Sequence, residues 1–370
     1  MKTKEATGDE YFMERALRLA RKGQGWVSPN PMVGAVIVKD GAVISEGYHR
    51  RFGEAHAEVN AITNAKALLT GATLYITLEP CCHFGKTPPC TDAVIESGIA
   101  RVVIGVRDPN PLVAGRGIAR LNEHRIHTTV GVLESQCRAL NEVFFKYMST
   151  ATPFVTLKYA QTVDGRIAAA SGNSRWISSE ASLRYAHELR SHHDAVLVGI
   201  DTVLRDNPEL TVRHVKGKNP LRVILDSTLK IPLASSVLTK QDEARTMIIT
   251  THAGDAEKMH LLGAMGIEII TADSCEGVGV DLPSALRELS MRNISSVLVE
   301  GGARTITSFI REGLPDRLII ITAPKIMGKG IEAVGDLGFR EVDDAIKLVV
   351  KRIVKKGDDI IMDLRIKSKE

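Results

Sequence analysis

Two short segments near the front of the chain hold the residue types of a zinc site. They are His56-Ala57-Glu58 and Pro80-Cys81-Cys82-His83-Phe84-Gly85-Lys86-Thr87-Pro88-Pro89-Cys90. One imidazole and two thiolates, from His56, Cys81 and Cys90, supply three soft ligands and leave the fourth tetrahedral position of Zn²⁺ open for water. Glu58, a carboxylate outside the ligand set, can move protons to and from that water. Two other readings use the same residues. Cys82 could stand in for Cys81, and His83 could close the site as a fourth, purely structural ligand. Cys81 is preferred because it directly follows Pro80, and a closed site leaves Glu58 beside His56 unexplained.

A weaker signal sits in the second half, at Val299-Glu300-Gly301-Gly302-Ala303. Bare backbone at a strand-to-helix turn can cradle a phosphate on helix N–H groups, although a tight turn without ligand has the same sequence. The chain has no G-x-G-x-x-G fingerprint, so an ordinary Rossmann dinucleotide site is not indicated.

The elements that must carry these residues follow from hydrophobic period and turn chemistry. Asp9 to Lys22 reads as an amphipathic helix with Phe12, Ala16, Leu19 and Ala20 on one face and Gly23 as a stop. Val33 to Val38 and Ala42 to Gly47 read as a hairpin about Asp40-Gly41. A helix from Val59 to Leu69, a strand from Leu74 to Leu78, a helix from Thr91 to Ser97 and a strand from Arg101 to Val106 follow. The order β-β-α-β-α-β implies an α/β/α sandwich with helices on both faces.

That order places the ligands. His56 falls at a helix entrance, where non-helical backbone lets it converge with Glu58; within a regular helix, residues two apart point away from each other. Cys81 follows the carboxyl end of a strand, the usual ligand position in open α/β sheets. Cys90 comes after Pro88-Pro89 at a helix start, where the positive end of the helix is expected to lower a thiol's pKa.

Pro153 opens a second pattern, which predicts domains over residues 1–148 and 149–370. Strands are expected at Phe154 to Lys158, Ala195 to Gly199, Leu221 to Asp226, Thr246 to Thr251, Ile267 to Thr271, Ser296 to Val299 and Arg317 to Thr322. Helices such as Ser179 to Ser191 and Leu282 to Arg292 intervene, which implies a mostly parallel, doubly wound α/β sheet. Ile331 to Glu370 has strand-like stretches and no usable motif.

Bulk properties narrow the class. A length of 370 residues suits two domains, and 44% hydrophobic with 25% charged residues suits a globular protein. The net charge of +4 is mild and contains no dense basic block, so small nucleotides are expected as partners and nucleic acid is not. Met1 to Glu10 has no secretory h-region, and no apolar run approaches the roughly 20 residues of a membrane span. Five cysteines, three of them within ten positions, indicate metal binding in a reducing cytoplasm rather than disulfides. Cys137 and Cys275 are expected to be ordinary, partly buried thiols.

His-x-Glu followed by Pro-Cys and a further cysteine is the pattern of zinc nucleobase deaminases, here with eight residues between Cys81 and Cys90 where that pattern has two. With Thr77-Leu78-Glu79-Pro80-Cys81, Gly85-Lys86-Thr87-Pro88-Pro89-Cys90 and the run from Asp108 to Gly117, the first half resembles the deaminase half of the bifunctional riboflavin biosynthesis deaminase/reductase family. Cys82 departs from the small polar residue that family would have. The second half resembles the reductase half of that family, which has a dihydrofolate-reductase-like fold. The likeness lies in Thr162 to Ala168, Ser174 to Ser178, Gly199 to Leu204, Asp206-Asn207-Pro208 and Ala323-Pro324-Lys325.

The resemblance implies an N-terminal cytidine-deaminase-like domain that uses Zn²⁺ and a C-terminal domain that uses NADPH. It implies deamination of a diaminopyrimidinone ribosyl phosphate with Glu58 as proton carrier, then reduction of the ribosyl group to a ribityl chain. Asn30, His49, Lys86 and Asn110 would surround the pyrimidine, with Lys86 suited to a phosphate. Ala160, Trp176, Thr202, Asp206, Ser227 and Gly301, Gly302, Ala303, Arg304, Thr305, Ile306, Thr307 and Ser308 would meet NADPH. Ser174, Arg190, Leu210, Arg213 and Glu300 would meet the phosphorylated sugar, the arginines because a guanidinium fork matches phosphate oxygens. The family also suggests a homo-oligomer. The alternative is a single-function zinc deaminase with an unrelated nucleotide-binding domain, which the cysteine spacing and the second-half motifs argue against.

Overall fold

The computed structural model describes residues 8–85, 88–275 and 279–367. The chain divides into two compact units, Met1–Ala151 and Thr152–Glu370.

In the first unit α1 (Gly8–Ala20) precedes the hairpin β1 (Gly34–Lys39) and β2 (Ala42–Tyr48). Then come α2 (Ala57–Asn64), β3 (Thr73–Leu78), α3 (Cys90–Glu96), β4 (Arg101–Val106), α4 (Arg116–Glu123), β5 (His127–Val130), α5 (Glu134–Leu140) and α6 (Glu142–Thr150). The sheet order is β2-β1-β3-β4-β5, antiparallel through β2-β1-β3 and parallel through β3-β4-β5. Strand residues alternate between two faces. Tyr75 of β3 meets Phe12 of α1 on one face, ring centroids 5.0 Å apart. Ser45 of β2 donates to the Ala61 carbonyl of α2 at 2.6 Å on the other. The strands are buried on both sides, so they read as apolar runs rather than alternations.

The second unit holds β6 (Phe154–Thr162), β7 (Arg166–Ala169), α7 (Glu180–His192), β8 (Ala195–Gly199), α8 (Ile200–Asp206), β9 (Leu221–Leu225), α9 (Ser236–Thr239), β10 (Thr246–Thr250) and α10 (Ala256–Ala264). After β11 (Glu268–Thr271) and the short ribbon β12 (Ser274–Cys275) and β13 (Gly279–Val280) come α11 (Leu282–Met291), β14 (Ser296–Gly301), α12 (Ala303–Arg311), β15 (Arg317–Ala323), β16 (Gly330–Glu332), β17 (Leu348–Lys356) and β18 (Asp359–Ile366). Nine strands form one sheet in the order β11-β10-β9-β8-β14-β6-β15-β18-β17. It is parallel from β11 to β15, and β18 and β17 add an antiparallel edge. Leu286, Leu289, Ile306 and Phe309 of α11 and α12 pack on Leu197, Val223 and Val299. Val203, Val237 and Leu262 of α8 to α10 pack on the alternate residues Val196, Ile224 and Ile248. This is the doubly wound arrangement expected from the alternation of elements. No helix among the described residues is long and apolar enough to cross a membrane.

Candidate active sites

His56 is the N-cap residue of α2, with extended backbone (φ −73°, ψ 172°), and Glu58 stands in the first turn, 3% exposed. Cys81 lies three residues past β3, and Cys90 is the first residue of α3 with Pro89 as its N-cap. These three starting points bring the ligand atoms together. His56 Nδ1 is 3.2 Å from Cys90 Sγ and 3.7 Å from Cys81 Sγ, and all three atoms lie within 4.8 Å of one another. Tetrahedral zinc with bonds of about 2.1 Å to nitrogen and about 2.3 Å to sulfur puts such atoms about 3.5 Å apart. The observed separations straddle that value, so the residues fit a zinc ion held through Nδ1.

Among the described residues no further histidine, cysteine or carboxylate joins the group. Cys82 turns its thiol to the Leu112 carbonyl at 3.9 Å instead. The cluster therefore offers a zinc ion three protein ligands, the number that goes with an open site.

Burial and hydrogen bonding set the charges. The Cys90 thiol and the His56 ring hydrogen-bond the Cys81 sulfur and bring its pKa down to about 4 against the cost of burial. Cys90, as the partner that keeps the proton, is pushed well up. The two thiols share one hydrogen bond, which favours charge on Cys81 and holds the proton on Cys90. Burial also pushes Glu58 up to about 7, opposed by the nearby His56.

A cavity of about 220 Å³ opens onto the cluster and is lined by Asn30, His49, His56, Glu58, Cys81 and Asn110 among others. Lys86 lies outside the described residues. His49 Nδ1 donates to the Ala55 carbonyl at 3.2 Å, so its Nε2 accepts from Asn30 Nδ2 at 3.2 Å. Burial lowers the His49 pKa, in keeping with a neutral ring. The Asn30 carbonyl oxygen is left to accept from a ring N–H.

Two residues in this wall escaped assignment from sequence, Glu79 and Asp108. The Glu79 carboxylate is 3% exposed and accepts from the backbone N–H groups of Asp108 (3.3 Å), Gly115 (3.0 Å) and Ile118 (3.2 Å). It thereby ties the segment bearing Asn110 to the segment bearing Cys81. Asp108 accepts from the Asn110 N–H at 2.8 Å, and burial raises its carboxyl to about 7. A carboxylate that closes an apolar strand, as Glu79 does after Leu78, was the available signal.

In the second unit a cavity of about 520 Å³ lies at the carboxyl ends of β8 and β14, beside β6, where open α/β sheets bind ligands. Ala160, Trp176, Thr202, Asp206, Ser174 and Glu300 border it, with Gly302, Ala303, Arg304, Thr305 and Ile306. Gly301 and Gly302 have φ of 114° and 37°, a turn closed to most side chains. Gly302, Ala303 and Arg304, where α12 begins, line the cavity, and a glycine turn at a helix start fits a cofactor phosphate. Ser227, Gly301, Thr307, Ser308, Arg190, Leu210 and Arg213 do not line the cavity.

Arg190 is committed to a buried pair. Its Nε and Nη2 donate to Glu300 at 2.6 and 2.9 Å, and Nη1 donates to the Thr211 carbonyl at 3.0 Å. Lys158, unassigned from sequence, lines the cavity with Nζ 3.9 Å from Glu300, and burial lowers its pKa. Nothing in strand β6 marks this lysine apart from a cation placed in an apolar run.

Two family descriptions match the chain. The cytidine and deoxycytidylate deaminase zinc-binding region matches residues 6–106, and the RibD C-terminal domain matches residues 153–362. Riboflavin biosynthesis protein RibD of Aquifex aeolicus (strain VF5) is 46% identical over 355 residues, 96% of this chain and 97% of that protein. The Escherichia coli (strain K12) protein of the same name is 38% identical, over 96% of this chain and 99% of its own. A solved diaminohydroxyphosphoribosylaminopyrimidine deaminase/5-amino-6-(5-phosphoribosylamino)uracil reductase from Thermotoga maritima matches with a TM-score of 0.85 at 42% identity, covering 97% of this chain and 99% of that one. Acinetobacter baumannii RibD gives a TM-score of 0.88 at 34% identity, covering 98% and 99%. Likeness of this kind runs through both units, and the chain belongs to the RibD family of riboflavin biosynthesis enzymes, which join a zinc-dependent, cytidine-deaminase-like domain to an NADPH-dependent reductase.

Proposed function

We propose that the first cavity deaminates the diaminopyrimidine ring and that the second reduces the resulting phosphoribosylaminouracil, the two activities named for the Thermotoga maritima protein. The observation that carries the reading is the convergence of His56, Cys81 and Cys90 at a cavity wall with a fourth position left open. When bound there, zinc supplies the Lewis acidity that makes water nucleophilic near neutral pH. Glu58, buried and titrating near neutrality, takes a proton from the attacking water and returns it to the departing amine nitrogen. Asn30, oriented by His49, accepts from a ring N–H, and Asn110 faces the same ring. Lys86 is proposed to meet the phosphate.

In the second cavity NADPH, when bound, supplies the hydride. The Gly302 turn and the first N–H groups of α12 hold its phosphates, and Ala160, Trp176, Thr202 and Asp206 border the rest. Lys158, whose proton is loosened by burial, donates at the sugar end, and Glu300 orients it. Arg190 steadies Glu300. Arg213 lies outside the cavity lining, with its side chain about half exposed, and is read as the guanidinium that exchanges Glu209 for the substrate phosphate.

The test is turnover by the zinc-loaded chain on the diaminopyrimidinone ribosyl phosphate. Ammonia release without NADPH, followed by NADPH oxidation once it is added, is the expected result. Zinc retention without ammonia release overturns the first assignment, and ammonia without NADPH oxidation overturns the second.

We further infer a cytoplasmic homo-oligomer. The five free cysteines suit a reducing compartment. Exposed Val350 and Ile353 on the edge strand β17 suit a covered face. Light scattering on the eluted protein reads the oligomeric state.

A further inference from the structure

The segment Glu209–Arg213 has neither helix nor strand structure, yet it is gripped along its length. The Glu209 carbonyl accepts from Nη1 of the fully buried Arg222 at 3.3 Å. Leu210 is 3% exposed and has a left-handed backbone, φ 55°, a conformation a non-glycine residue keeps only when its surroundings impose it. The Thr211 carbonyl accepts from Arg190, and the Val212 N–H donates to Asn219 Oδ1 at 2.6 Å. The Arg213 N–H donates to His187 Nδ1 at 3.1 Å. From this braced backbone the Arg213 guanidinium reaches the surface, where Glu209 (2.5 Å) and the Thr211 hydroxyl (3.0 Å) hold it.

His187 lies on α7, one turn before Arg190, and is 1% exposed. Its ring meets His214 edge to face, centroids 4.6 Å apart. Because Nδ1 accepts, the ring proton sits on Nε2, and that N–H is buried with no partner among the described residues. An empty buried donor costs stability. A leucine would fill the same place on α7 without that cost. What histidine supplies and leucine cannot is the acceptor at Nδ1. Burial, helped by Arg190, His214 and Arg213, pushes the ring down to about 4, which keeps it neutral as an acceptor must be.

We propose that His187 is a positioning residue of the reductase: its Nδ1 fixes the Arg213 backbone, and so sets where that guanidinium meets the substrate phosphate. The proposal rests on the reading of Arg213 as the phosphate contact. Helix α7 then fixes both ends of the sugar phosphate, through Arg190 and Glu300 at the reacting end and through His187 and Arg213 at the phosphate.

The experiment compares full-length His187→Leu, His187→Asn and Arg213→Ala with the parent chain. It reads reductase KM and kcat on the deaminated substrate, NADPH affinity by fluorescence, and ammonia release. H187L raises KM about tenfold and leaves kcat and NADPH affinity within about twofold. H187N, whose amide oxygen offers the same acceptor, brings KM back to within about threefold of the parent. An unchanged KM in H187L while R213A raises it overturns the role of His187. So does H187N behaving like H187L, or KM, kcat and NADPH affinity failing together, which marks a merely structural residue. An unchanged KM in R213A instead overturns the phosphate reading on which the proposal stands.

Discussion

Replacing Glu300 by glutamine removes a charge and little else, so its cost can be worked from the geometry. The carboxylate is held by two Arg190 hydrogen bonds of 2.6 and 2.9 Å, lies 3.9 Å from Lys158 Nζ, and its side chain is 8% exposed. Burial pushes its pKa upward, but Arg190 and then Lys158 outweigh that and leave it at about 2, against 4.5 ordinarily. A folded-state pKa below the unfolded one means stability that is complete above about 4.5 and lost as pH falls toward about 2. The difference is worth about 3 kcal/mol at pH 7 and about 2 kcal/mol at pH 3.5. Removing one partner from a buried pair costs about 3–5 kcal/mol by a separate route, so the two figures agree. Hydrogen exchange of the β14 amides reads this locally, without assuming that two units unfold as one. Glu300→Gln is expected to lower their protection by about 3 kcal/mol at pH 7 and by less at pH 3.5. Reductase kcat/KM falls more than about tenfold, and ammonia release is unchanged. A loss below about 1 kcal/mol at pH 7, or an equal loss at both pH values, refutes the reasoning.

Glu58→Gln keeps its zinc, measured by metal analysis, and loses about 10²- to 10⁴-fold in deamination; a variant deaminating at the parent rate sinks the proton-carrier role. Cys81→Ser loses zinc affinity while Cys82→Ser keeps full stoichiometry, because only Cys81 has its sulfur in the cluster; equal zinc loss in both would reverse that assignment. Gly117→Ala places a Cβ 2.1 Å from the Pro80 carbonyl oxygen, a backbone atom that cannot swing aside. It is expected to cost about 1–3 kcal/mol and to lower zinc affinity through the adjacent Cys81, read by thermal unfolding and metal titration; unaltered zinc binding counts against that strain path.

The clustering of His56, Cys81 and Cys90 was legible because each lies beside a punctuation mark that survives folding: a helix start for His56, a Pro-Cys strand exit for Cys81, a proline pair for Cys90. The hairpin of β1 and β2 was legible for a similar reason, since Asp40 and Gly41 take the positive φ (51° and 75°) that such a turn needs. Helix α2 illustrates the limit. The apolar count extends it to Leu69, but Ala65 turns extended (φ −70°, ψ 128°). Leu69 then enters the core from a loop, while Leu68 is left 81% exposed. Residues 116–150 carry α4 to α6, helices of only eight, seven and nine residues, too short for an apolar period to stand out by itself. The hairpin of β17 and β18 mixes basic and apolar residues on a largely exposed edge, so neither period dominates.

Cys275, expected to be partly buried, is exposed, and Cys137 is wholly buried. Glu79 and Lys158 went unassigned because their roles come from partners distant in sequence, and Asp108 because its burial does. Arg190 and Leu210, assigned to the sugar phosphate by resemblance, do not line the cavity: Arg190 is held by Glu300 and the Thr211 carbonyl, and Leu210 is packed in the core with Val196 and Ile224.

Glu79 has a consequence beyond bracing. One carboxylate joins the segment that carries Cys81, a proposed metal ligand, to the segment that carries Asn110, a proposed ring contact. Two binding events that each tighten one end of a shared brace are thermodynamically linked, and the linkage is reciprocal. Zinc occupancy and pyrimidine affinity are therefore expected to be coupled: the Kd for the pyrimidine should differ between the zinc-loaded and zinc-stripped protein, and an equal Kd would show that the Glu79 brace passes nothing on.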